Sequence, residues 1–206
     1  MNSRERLLAA ITLKKTDRVP ISTYELVGYN SRSFENNEPS YKDLMDTIRE
    51  KTDCVCMWDP GSDYTAAHSS YPVPIDTRTY RGSGYTDTFS TMHTPKGELT
   101  SSRRVYDRVH TTWQTEHWCK TPDDVDKLFS IPFEPVTYDY SDYARICGEV
   151  GDHGIIMASV SDPSDLGMQM MEFGESMVWA MTETEHFAKT MEEIHRRGMI
   201  NLENML

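Results

Sequence analysis

The run Asp53-Cys54-Val55-Cys56-Met57-Trp58-Asp59 decides how this chain is read. It is short, apolar almost without a break, and closed by Asp59-Pro60-Gly61. An alternating run would leave one face in water. A continuous run marks a strand covered on both faces, the habit of parallel sheets. Upstream, Ser40 caps a helix whose S-x-x-D box is completed by Asp43, with Leu44, Met45 and Ile48 on one face. Behind Asp17-Arg18-Val19-Pro20, the segment Val19 to Tyr24 reads as another short strand, and Gly154 to Val160 as a third buried one.

Further outward, Asn2 or Ser3 caps a first helix, with Glu5 in its first turn and Leu7, Leu8 and Ile11 as its stripe. Gly61 to Gly84, rich in Ser, Thr, Tyr and Pro, reads as a long surface loop. Thr-rich and aromatic alternation between Tyr85 and Lys120 surrounds Pro95-Lys96-Gly97 and predicts a β-hairpin turning at Gly97. Thr121-Pro122-Asp123-Asp124 opens a helix with acids at its positive end. Asp139 to Val150 reads as helical, stopping at Gly148 or Gly151. A Met-rich helix starts at Ser161-Asp162-Pro163 and ends near Gly174. The last begins at a Thr182-x-x-Glu185 box, with Phe187, Met191, Ile194 and Leu202 on one face. About three buried strands alternating with helices argue a parallel α/β sheet in one domain, with residues 61–120 as an excursion.

The chain has 206 residues, enough to bury a core, and a formal charge of −12 from 21 basic and 33 acidic side chains. The acids are spread along the chain, and such a field repels phosphate backbones and anionic lipid surfaces. Apolar stretches fall far short of the ~20 residues that cross a bilayer. Met1 to Ile11 lacks the apolar region of a secretory signal. Four unevenly spaced cysteines (Cys54, Cys56, Cys119, Cys147) read as reduced thiols, so a cytoplasmic protein is expected.

Candidate site residues follow from strand ends. Asp59 closes the deciding strand, while Tyr24 and Glu25 end the first. Ser159, Ser161 and Asp162 follow the third, where Ser161 or Asp162 also suits the N-cap of the Pro163 helix. A helix N-terminus attracts anions as well. Cys54 and Cys56 share a strand face and read as buried thiols. His117-Trp118-Cys119 superficially copies a His-x-Cys pair, and no metal site is assigned. His93, His110, His153, His186 and His195 show no partner spacing. The methionines at 168, 170, 171, 177 and 181 read as packing.

The opening Asn2-Ser3-Arg4-Glu5-Arg6-Leu7-Leu8-Ala9-Ala10 with Thr16-Asp17-Arg18-Val19-Pro20 resembles the start of the uroporphyrinogen decarboxylase superfamily. The resemblance continues through Asp59, Pro122-Asp123-Asp124-Val125-Asp126-Lys127-Leu128 and the Pro163 helix. It implies a (β/α)8 TIM barrel with its site at the C-terminal ends of the strands, here an incomplete N-terminal portion. Asp59 matches the decarboxylase's catalytic aspartate, and Gln169 stands where that enzyme has a tyrosine. Its Arg-Gln-Ala-Gly-Arg-Tyr motif corresponds to Glu25-Leu26-Val27-Gly28-Tyr29-Asn30, so both substrate-holding arginines are replaced, at Glu25 and Tyr29. A polyanionic porphyrinogen needs guanidinium forks, and Glu25 would repel it.

The resemblance therefore points to the methyltransferase-like or an uncharacterised branch, acting on a small substrate with a corrinoid protein as partner. Uroporphyrinogen decarboxylation and a non-catalytic binding remnant are the alternatives. No cofactor is evident in this chain. The methyltransferases of the superfamily use zinc and a corrinoid, with the zinc ligands in the C-terminal half of the barrel. A complete barrel needs about 250 residues, so a fragment, a split-gene half pairing with a C-terminal half-barrel, or a self-associating remnant is expected.

Overall fold

A computed structural model describes residues 1–23, 25–62, 67–109, 111–160 and 162–206, with Ser62 described by its backbone alone. The chain is a mixed α/β protein that divides into two compact units, Met1–Gly61 with Tyr138–Val160, and Ser62–Thr137 with Ser161–Leu206.

In the first unit the deciding run forms a strand, Cys54–Met57, paired in parallel with Gly154–Met157; Cys54 faces Gly154 and Met57 faces Met157. The pairing requires glycine at its start. A Cβ on Gly154 would stand 1.8 Å from the Cys54 carbonyl oxygen. Behind the strands, Val27, Cys54, Cys56, Ile146 and Val150 make the core, flanked by Tyr29, Trp58 and Ile156. Three main helices surround it: Ser3–Ile11, Lys42–Lys51 and Tyr143–Val150. The first has the expected box, with the Glu5 amide donating to Asn2 Oδ1 and the Asn2 amide donating to Glu5 Oε2. The third stops at Gly151, whose φ of 43° suits a residue without a Cβ.

Two local expectations change. Ser40 does not cap the second helix. It lies in a short 3₁₀ turn, Pro39–Tyr41, where both its amide and its hydroxyl donate to Glu38. The segment 19–23 forms no strand; Tyr24, at its end, lies outside the described residues. The reason is Asp53. Its amide donates to Ile21 O at 2.6 Å, but its carboxylate accepts the Ile21 amide at 3.1 Å. A side chain has taken the place of the carbonyl that a ladder would use. Among the described residues the parallel ladder therefore has two strands, not about three.

Asp53 is fully buried, and Arg6 is nearly so. Arg6 donates to Asp53 at 2.5 Å and forks onto Asp17 at 2.7 and 2.9 Å, while Arg18 reaches Asp53 at 3.0 Å. Burial by itself pushes the Asp53 carboxyl up. Hydrogen bonds from Ser3, Ile21 and Arg6, with the charge of Arg18, more than offset this and hold it below the usual carboxylate range. Arg6, Asp17 and Arg18, which carry much of the family resemblance, are thus structural. They pin the N-terminal helix and the 17–21 segment to the foot of the deciding strand.

The second unit is built differently. Ile75–Arg81, Tyr85–Thr94, Gly97–Tyr106 and Thr112–Glu116 form a four-stranded antiparallel sheet in that order. The expected hairpin is its centre, with Thr94 opposite Gly97. Ile75–Arg81 falls where a loop was expected; every residue in it is exposed, so its alternation carries no hydrophobic signal. Met92 and Leu99, paired across the hairpin, turn into a core with Val125, Leu128, Ile131, Met171, Trp179 and Ile194. On the other face Arg104 grips Asp87 through two bonds of 2.6 and 2.8 Å and lies 4.0 Å from the Tyr85 ring centre.

Helices Pro122–Leu128, Pro163–Met170, Phe173–Thr182 and Thr184–Met205 complete this unit. The first follows its Thr121 signal, Asp124 accepting the Thr121 and Lys120 amides. The Met-rich helix ends at Met170 rather than near Gly174, because Glu172 caps a new helix by accepting the Glu175 amide. The Thr182-x-x-Glu185 box does not form. Thr182 donates its hydroxyl back to Val178 O, and Glu185 pairs with Lys189. No helix among the described residues is long and apolar enough to cross a membrane.

Candidate functional site

The parallel ladder places the polar residues that follow its two strands side by side. Trp58 continues the pairing, its amide donating to Met157 O at 2.9 Å. One residue further, the exposed Asp59 carboxylate accepts the Ser159 amide at 2.9 Å. Asp59 thus sits at the C-terminal end of its strand and is tied to the C-terminal end of the neighbouring one. In parallel α/β sheets this is the end where ligands bind, since the loops there are free to carry chemistry.

Trp58, the residue before Asp59, belongs to an aromatic wall. Trp58 packs against Tyr143, with ring centres 5.0 Å apart, and Tyr140, at 6.0 Å. Tyr143 opens the helix that runs back to the Gly154 strand, so its N-terminal turn belongs at the same end of the ladder. Met157 and Val160 add exposed apolar surface there. Strand ends in the sequence point to Asp59 and Ser159 but not to these rings. The signal for them was present in Tyr138-Asp139-Tyr140-Ser141-Asp142-Tyr143, an alternation of aromatic and acidic side chains directly before a helix.

Within this unit Tyr29 is not brought together with Asp59. Glu25, in the same unit, is exposed. Tyr29 stacks on His153 at 4.2 Å and donates its hydroxyl to Arg49 O at 3.3 Å. His153 immediately precedes the Gly154 strand, and Arg49 lies in the last turn of the helix leading to Cys54. Tyr29 therefore belongs to the N-terminal end of the ladder, the end opposite Asp59, where a side chain supports the fold.

Asp162 and Gln169 belong to the second unit. Asp162 caps the Pro163 helix, its Oδ1 accepting the Ser164 and Asp165 amides and the Ser164 hydroxyl. Those bonds, the Ser164 hydroxyl foremost, hold its carboxyl below the ordinary value. Gln169 donates to Asp165 at 3.0 Å, and its carbonyl accepts from His117 Nδ1 at 3.0 Å. Ser161, like Tyr24, lies outside the described residues.

The His-x-Cys pair that the resemblance raises for zinc does not fit the ion. His117 spends Nδ1 on a carbonyl, while Cys119 is buried in the apolar core and its thiol is pushed up to about 12, first by that burial. Burial likewise raises Cys54, to about 11, and Cys56. Such thiols stay protonated and are poor metal ligands. Among the described residues no group of three or more His, Cys, Asp or Glu side chains is placed to hold a metal ion.

Several histidines gain partners that spacing did not show. His93 lies between Asp76 at 2.9 Å and Glu98 at 3.2 Å, and His186 beside Asp126 at 3.2 Å. The fold and its strand-end residues define an α/β protein with a carboxylate and an aromatic wall at the C-terminal end of a parallel pair. No protein-family model, curated protein or solved structure matches the chain.

Proposed function

We propose that this chain is an enzyme of the uroporphyrinogen decarboxylase type, from the methyltransferase-like or a separate branch, which binds a small substrate where Cys54–Met57 and Gly154–Met157 end. The observation that supports it is the placing of Asp59, the one residue that matches the family's catalytic aspartate, on the amide of the neighbouring strand's end. A carboxylate fixed in that way is oriented to accept a proton or to hold developing positive charge on the substrate.

In this reading the chain works in the cytoplasm, and a corrinoid protein brings the methyl group. His117 and Cys119 do not fit zinc, and the ligands that the resemblance implies for it belong to the C-terminal half of a barrel. Porphyrinogen decarboxylation is disfavoured: Glu25 brings an acid where a guanidinium is needed, and Tyr29 is engaged at the other end of the ladder.

The test supplies the protein with methylcobalamin and a small thiol, following the corrinoid absorbance, and in parallel with uroporphyrinogen, following the product by fluorescence chromatography. Corrinoid demethylation is expected, with kcat/KM reduced about 100-fold in Asp59→Asn. Turnover of uroporphyrinogen, or an Asp59→Asn variant as fast as the parent, overturns the reading.

A further inference from the structure

Residues opposite one another in a ladder share a face, so register sorts the side chains of the antiparallel sheet. Met92 and Leu99 mark the face that packs on the core. The other face carries Tyr80, Asp87, Arg104 and Trp113 in one cross-strand row. Tyr85 stands opposite Tyr106 on one side of that row, and Arg78 opposite Phe89 on the other. Tyr80, Phe89, Tyr106 and Trp113 each keep between 41% and 59% of their surface exposed. Diagonal neighbours on a ladder lie about 7–8 Å apart, and the Tyr85 and Tyr106 ring centres are 6.3 Å apart. Phe89, Tyr80, Tyr85, Tyr106 and Trp113 thus follow one another in an arc of near-even steps around the Arg104–Asp87 pair.

Charge on this face is uneven. Its acids are held: Asp87 by Arg104, Asp76 and Glu98 by His93, and the neighbouring Glu116 by Lys120. Among the described residues Arg78 has no such partner, nor have Arg103, on the opposite face, and Arg108, in the turn that follows. The span from Arg78 to Trp113 holds six basic and three acidic residues, so it carries +3 in a chain of −12. Phe89 and Tyr85 lie three and seven residues from Met92 along their strand, about 10 and 24 Å. Physiological salt screens charges beyond about 8 Å, so a ligand on the rings meets chiefly the sheet's own charge.

Such a face suits a molecule with flat rings at regular steps and negative charge between them. A single-stranded nucleic acid has both, its bases stacking on aromatic side chains and each step carrying a phosphate. A neutral glycan leaves Arg78 without a role, a second copy sets the same positive sheet against this one, and a duplex keeps its bases stacked inside. We propose that this sheet face binds a short single-stranded nucleic acid, with bases on Tyr80, Phe89, Tyr106 and Trp113 and a phosphate on Arg78. The surface belongs to the second unit and is independent of the reaction proposed at Asp59.

Fluorescence anisotropy of the full chain with labelled oligothymidylate, against an abasic strand and a duplex of the same length, tests it. Saturable binding of oligothymidylate is expected, about tenfold weaker for the abasic strand and the duplex. Trp113→Leu and Phe89→Leu should each lose about tenfold, and Trp113→Phe, which keeps a ring, no more than about threefold. Arg78→Gln should flatten the slope of log Kd against log salt by about 0.7. Lys96→Gln, in the hairpin turn at the other end of the strands, should bind as the parent does. Phe89, Trp113 and Arg78 are all exposed, so these variants keep the core intact.

No saturable binding, equal binding of the abasic strand or the duplex, or an unchanged Trp113→Leu overturns the proposal. Self-association in sedimentation that Trp113→Leu abolishes would give the face to a second copy instead. Binding of cellohexaose with the same dependence on Trp113 would give it to a neutral glycan.

Discussion

The two units solve the problem of a small sheet in opposite ways. The parallel pair is four residues long on each strand and draws its order from what surrounds it: a core on one side and the Arg6–Asp17–Arg18–Asp53 cluster at its foot. The antiparallel sheet has central strands of ten residues and stands largely in solvent, ordered by its own ladder and by cross-strand pairs such as Arg104 with Asp87. A parallel ladder has no hairpin to set its register, so burial and charge must do so. The hairpin sets its own.

That contrast is open to attack at three points. The largest effect is expected from Asp53→Ala, which leaves Arg6 half-paired in a buried setting. Asp17 still holds the guanidinium, so the cost should lie near the lower end for a broken buried pair, about 3 kcal/mol. Urea denaturation measures the total. Hydrogen exchange read by mass spectrometry should show protection lost at 54–57 and 154–157 and kept at 85–106. Equal loss in both regions would mean that the units open as one, and the contrast would fail.

A smaller effect, about 2 kcal/mol, is expected from Gly154→Ala, since a methyl group must displace the Cys54 carbonyl at the start of the ladder. The same substitution at Gly148, where a Cβ meets nothing within 4 Å, should be neutral or slightly stabilising. If both variants behave alike, the close approach at Gly154 does not set the register.

The smallest effect separates the units by pH. Glu149, held by Ser31 and then Arg145, is lowered from 4.5 to about 2, and Asp53 is lowered as well. Carboxylates with depressed values contribute fully above their ordinary range, and the contribution is lost as pH falls toward the folded value. His93, held first by Asp76 and also by Glu98, is raised above 6.5. Its contribution is present below 6.5 and lost as pH rises past the raised value. Acid should therefore weaken both units, since Glu193, lowered to about 2, and Asp87 belong to the second, while mild alkali should slightly weaken the sheet alone. His93→Gln should abolish only the second response, read by exchange at 75–106.

What the sequence revealed follows the same division. The apolar run 54–57, the capping box of Asn2 and Glu5, and the hairpin around Gly97 were legible because each is specified by neighbouring residues. The strand Ile75–Arg81 was not, since exposed Thr, Arg and Asp read as loop until Tyr85–Thr94 lies beside them. The loss of a strand at 19–23 was equally hidden, because it depends on which way the Asp53 carboxylate points. Of the candidate site, Asp59 and Ser159 were legible from strand ends alone. In the sequence Trp58 reads as core, and Tyr140 and Tyr143 only as part of a helix. The stacking of Tyr29 on His153 joins segments far apart in the chain, beyond any local pattern.

The thiols add a practical consequence. Cys54 and Cys56 are sealed in one unit and Cys119 in the other, while Cys147 alone is partly exposed. A maleimide applied to the folded protein should consume Cys147 at once and the rest only when their unit breathes. Each buried sulfur is thus a clock for its own half of the molecule, and a variant's effect on one half could be timed without adding a label anywhere.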